Sequence, residues 1–76
     1  MTKKALEIIK NIENEKTTFL GVIVNKYNYS YEVRARLVEM GESGEISPKI
    51  LWAALKITAN KMTENDKEIE LNCYCN

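Results

Sequence analysis

The sequence has no histidine, one proline (Pro48), one aspartate (Asp66), one phenylalanine (Phe19), one tryptophan (Trp52) and three glycines in 76 residues. Without histidine it lacks the side chain most often used as a general base near neutral pH. A carboxylate pair for acid–base work would need residues such as Glu68 and Glu70, which fall on the polar side of an alternating segment and read as solvated charge. Gly41 and Gly44 lack the lysine and the spacing of a phosphate-binding loop. Small chains also rarely enclose a pocket that excludes water. The expectation is a non-enzyme without a cofactor.

Long apolar runs are absent too. Phe19 to Val24 is six residues with Gly21 inside it, against the roughly 20 needed to span a bilayer. Lys3 and Lys4 open the chain, but Glu7 and Lys10 interrupt the apolar stretch that a signal peptide would need. A cytoplasmic protein with no membrane partner is the resulting expectation.

What the chain does have is 45% hydrophobic residues and 11 basic against 11 acidic side chains. Disordered chains combine low hydrophobicity with high net charge, so this one should fold. Its length implies a single globular domain over 1–76. A domain near 60 residues buries only about 60% of its unfolded surface, which makes partner binding or homodimerisation an expectation from size alone.

Apolar spacing at Ala5, Leu6, Ile8, Ile9 and Ile12 predicts an amphipathic helix over 2–16 with Thr2 as N-cap. Residues 17–24 hold five β-branched side chains and Gly21, which favours a strand buried on both faces over continuation of the first helix. Asn25 to Ser30 reads as a turn, with Ser30 capping a second helix over 31–40 that offers Val33, Leu37, Val38 and Met40 to the core. Gly41 and Gly44 end it. Ser47 followed by Pro48 predicts a third helix over 48–62, the centre of the core, with Trp52 placed inside. Thr63 to Lys67 reads as an acidic connection. Residues 68–75 alternate, Ile69, Leu71, Cys73 and Cys75 against Glu68, Glu70, Asn72 and Tyr74, which predicts a strand paired with 17–24. The fold class is α+β: a small, mostly helical domain in the order helix-strand-helix-helix-strand with a two-stranded sheet. The alternative is an all-α three-helix bundle.

Recognition residues cluster in three places. Tyr27, Tyr29 and Tyr31, followed by Arg34 and Arg36, are the types that most often carry interface energy, and they form the candidate partner-binding set. Lys49, Lys56 and Lys61 occupy a segment, 46–62, without acidic residues, and form a candidate nucleic-acid-binding set. The element order there resembles a helix-turn-helix or winged-helix arrangement, at the level of order only. The third place is Cys73 and Cys75, which read as core thiols, as a disulfide, or as half of a zinc site shared by a dimer; the first reading is preferred, so no metal is assigned. Glu64, Asp66, Glu68 and Glu70 make an acidic counterpart that could mimic a nucleic-acid backbone. Two functions remain open. The favoured one is a small protein-binding module or inhibitor, such as a mobile-element accessory protein, modulating a larger partner; the other is a DNA-binding regulator.

Overall fold

The computed structural model describes residues 2–75, with side chains placed for all of these except 70, 71 and 73–75. Six elements follow one another: α1 (Thr2–Glu13), β1 (Lys16–Phe19), β2 (Val22–Asn25), α2 (Ser30–Ser43), α3 (Pro48–Lys61) and α4 (Glu64–Cys75). The protein is a small, mainly helical α+β domain with one two-stranded antiparallel sheet. No helix among the described residues is long and apolar enough to cross a membrane.

The body is a packing of α3 against both α1 and α2. From α1 come Ala5, Ile8, Ile9 and Ile12, the stripe that 3.6-residue periodicity places on one face, and from α2 come Val33 and Leu37. Ile9, Ile12, Val33 and Leu37 are almost wholly buried, each contributing about 1.5–3 kcal/mol relative to an exposed side chain. The helix α3 adds Ala54, and Ile46 and Met62 close its two ends. Gly41 lies within α2, where a Cβ would run into the Leu51 side chain, so α2 and α3 approach closely there.

Local chemistry sets the ends of α2 and α3. Gly44 takes φ +84°, and the amides of Gly44 and Glu45 donate to the carbonyls of Gly41 (3.3 Å) and Met40 (2.9 Å), satisfying the last turn of α2. Ser47 Oγ accepts from the Ile50 amide at 3.3 Å and Pro48 stands at the first helical position, so α3 starts where the sequence predicts. At α2 the cap differs: Tyr29, not Ser30, is the N-cap residue, and it makes no side-chain cap bond.

Both strand expectations need correction. Residues 17–24 are not one strand buried on both faces but the greater part of a hairpin, β1 and β2, joined at Leu20–Gly21 and exposed along its whole length. Residues 68–75, expected to pair with it, belong to α4, which contacts α2. The reason is partnership. A strand needs an open edge beside it, and 17–24 folds back on itself instead of waiting for a distant segment. Helix signals then decide 64–75: Thr63 Oγ1 accepts from the Asp66 amide at 3.1 Å, and Glu64 and Asp66 put negative charge on the first turn. Ile69 and Cys73 are also four residues apart, so the apolar pattern fits a helix as well as a strand. Whether the thiols of Cys73 and Cys75 are core, paired or metal-bound lies outside the described side chains.

Candidate functional site

Three surfaces carry the residues of interest, and the structure separates them. The first surrounds the start of α2. Tyr27 and Tyr29 line an open depression of about 350 Å³ with Glu13, Asn14, Asn25 and Asn28, between the end of α1 and the base of the hairpin. Tyr27 is half-buried against the core and Lys26 Nζ lies 5.4 Å from its ring centroid, whereas Tyr29 is 63% exposed. Tyr31 is also exposed. The two arginines do not join them. Arg34 points at α3, donating to the Leu55 carbonyl and to Thr58 Oγ1 (3.0 Å). Arg36 faces the links between elements, 3.5 Å from Glu15, 3.6 Å from Glu39 and 4.0 Å from Glu45. Glu15 in turn accepts the Lys26 amide on its backbone oxygen at 2.6 Å, so Arg36 braces the base of the hairpin.

The second surface is the outer face of α3. At about 100° per residue, Lys49, Trp52 and Lys56 fall within one stripe, while Lys61 lies about 120° around the helix from Lys49. Lys61 reaches Glu13 of α1 at 3.8 Å. Trp52, expected in the core, is 64% exposed, and Lys56 Nζ stands 4.5 Å from its ring centroid. The inward face of α3 is filled by the small residues Ala54 and Thr58, which allow the close approach of α1 and α2 and leave the indole outside.

The third surface is the hairpin, which was not singled out from the sequence as a site. Cross-strand pairing sets Thr17 beside Val24 and Phe19 beside Val22 on one face, and Thr18 beside Ile23 on the other. Phe19, Leu20, Val22 and Ile23 are 65%, 88%, 60% and 69% exposed. A contiguous apolar protrusion of this kind is unusual on a monomer. The turn itself is strained: Leu20 has φ +52° and Gly21 φ +78°, the two positive values of the hairpin turn that prefers Asn-Gly. The available signal was Gly21 between Thr-Thr-Phe and Val-Ile-Val, a glycine between two short β-branched runs.

No group of three or more Cys, Asp or Glu is placed to hold a metal among the described residues. Compared with family models, curated proteins and solved structures, the chain finds no match.

Proposed function

We propose that this chain is a small non-enzymatic protein-binding module whose contact surface is the apolar hairpin Lys16–Asn25. The observation that carries the reading is the exposure of Phe19, Leu20, Val22 and Ile23 on a two-stranded element with no other strand beside it among the described residues. A two-stranded hairpin is marginal in water by itself, and this one lays its apolar side chains on solvent rather than on the helices. Leu20 adds to the argument. A leucine 88% exposed in a left-handed turn position gains little for the folded monomer, whereas in a contact it supplies apolar area. Arg36 and Glu15 support the same reading by fixing where the hairpin leaves the body.

Capture from a nuclease-treated native lysate tests the proposal. The wild-type chain should retain a protein that the Phe19→Ser, Ile23→Ser double variant does not, while the far-ultraviolet circular dichroism of the two is the same. Equal capture by both would overturn the hairpin as the contact.

One observation favours a second reading, the exposed stripe of Lys49, Trp52 and Lys56 on α3, which offers two cations and an aromatic face to nucleic acid. With Lys61 directed to Glu13, the footprint is small, and a salt dependence with a slope of only about −2 is expected. Loss of a low-salt gel shift on Lys49→Glu with Lys56→Glu would support it. The absence of any shift by the wild type would sink it.

A further inference from the structure

We infer that the occupant of the hairpin is a second copy of this chain, joined edge to edge along β2 into a four-stranded sheet; the inference rests on the hairpin being the contact surface. The ladder identifies the free edge. Antiparallel pairs alternate between hydrogen-bonded and non-bonded. The Lys26 amide bonds to the Glu15 oxygen. Counting along the register from there, Thr17–Val24 and Phe19–Val22 are bonded pairs, and Thr18–Ile23 is a non-bonded one. The N–H and C=O of Ile23 therefore point away from β1, as do those of Thr18 from β2.

The two edges are not equivalent. Proteins protect an exposed edge with charge, proline or a bulge. The β1 edge carries Lys16, whereas β2 reads Val-Ile-Val-Asn with no charge and no proline. A two-fold axis normal to the sheet sets Ile23 opposite Ile23 of the second copy, where each donates to the other. The same rotation keeps the Phe19, Val22 and Val24 faces of both copies on one side. Closed two-fold pairing leaves only the guarded β1 edges outside, which stops further growth.

Charge permits this occupant, and area sets its strength. The chain is neutral, with 11 charges of each sign, so two copies meet without net repulsion. From their exposures, Phe19, Leu20, Val22 and Ile23 leave roughly 500 Å² per copy, and edge pairing covers only the part of it that lies on β2, below the roughly 1,000 Å² of a stable interface. The dimer is accordingly weak and concentration-dependent.

Sedimentation equilibrium of the purified full chain over a wide concentration range tests the inference. A monomer–dimer equilibrium is expected, with Ile23→Pro, which removes only the outward N–H, raising the dissociation constant at least tenfold. Ile23→Lys, which keeps that N–H but sets two like charges opposite each other, should do the same if proline disturbs the strand. Thr18→Pro, the matching change on the β1 edge, should leave association unchanged. A chain that stays monomeric overturns self-pairing, and if it still captures another protein through Phe19 and Ile23 the binding reading survives. Dimers indifferent to both Ile23 variants overturn self-pairing along β2. If Phe19→Ser with Ile23→Ser also leaves association and capture unchanged, the hairpin is not the contact at all.

Discussion

The guanidinium of Arg34 on α2 donates to the hydroxyl of Thr58 on α3 at 3.0 Å, and that hydroxyl in turn donates at 3.0 Å to the Leu55 carbonyl, which Arg34 also reaches. Thr58 is the buried polar side chain of the described core, 1% exposed, and no buried side-chain nitrogen or oxygen among the described residues lacks a partner. The cluster ties two helices together through a charge-assisted bond, the strong kind. We predict that Arg34→Ala destabilises the domain by about 2 kcal/mol, since hydrogen bonds to charged groups contribute roughly 1.5–3 kcal/mol. Arg34→Lys should recover only part of this, because an ammonium cannot reproduce the planar fork. Chemical denaturation measures both, and an unchanged midpoint for Arg34→Ala would show that the clamp is dispensable.

Arg36 is expected to behave differently. Its partners Glu15, Glu39 and Glu45 are partly or largely exposed, and such pairs contribute at most about 1 kcal/mol. Arg36→Ala should therefore cost little global stability yet speed amide exchange at Lys26, whose bond to the Glu15 oxygen closes the hairpin base. Unaltered exchange there would mean that the base holds without the ion pair.

At the hairpin turn, Leu20→Asn replaces a strained side chain by the residue that this turn prefers. A gain in hairpin order of about 1 kcal/mol is expected from relief of the left-handed conformation. The same change removes the most exposed apolar side chain of the protrusion and should weaken association. Nuclear magnetic resonance shifts of β1 and β2 report the first effect and sedimentation the second. Tighter association of the variant would show that Leu20 is not part of the contact.

Trp52 offers a direct check of the corrected core. A buried tryptophan typically costs about 3–5 kcal/mol on truncation to alanine. Exposed as it is, Trp52→Ala should cost less than about 1 kcal/mol. Its fluorescence should be quenched readily by iodide in the native state. A shielded emission together with a large loss of stability would return the indole to the interior.

Gly44→Ala tests the helix end that the sequence already marked. At φ +84° an added Cβ meets no atom within 4 Å, so the cost is conformational alone, about 1 kcal/mol. Thermal unfolding should register this as a drop of several degrees for a chain of this size. A neutral result would place the strain elsewhere in the turn.

Much of the body was legible from the chain. The stripe Ala5, Ile8, Ile9 and Ile12, the cap at Ser47–Pro48 and the stop at Gly44 all rest on signals that act within a few residues. The candidate sites were less legible. Tyr29 and Tyr31 are exposed and available for contact, but Arg34 faces α3, Arg36 braces the hairpin and Lys61 faces Glu13. A long cation in the sequence is a reach of several ångströms with no direction, and the packing of α1, α2 and α3 supplies the direction.

The sequence by itself determined a small α+β domain, mostly helical, the stripe of α1, the start of α3 at Ser47–Pro48 and the stop of α2 at Gly44. Caps and 3.6-residue periodicity are local signals, although α1 ends at Glu13 short of the expected 16, and Gly41, packed against Leu51, stays inside α2 instead of ending it. Only the tertiary structure decided that residues 17–24 turn at Leu20–Gly21, that 68–75 coil into α4, and that Trp52 faces outward. Those outcomes depend on which edge or face lies nearby once the helices have packed. A strand pattern states what a segment needs, and the fold determines whether anything is there to meet it.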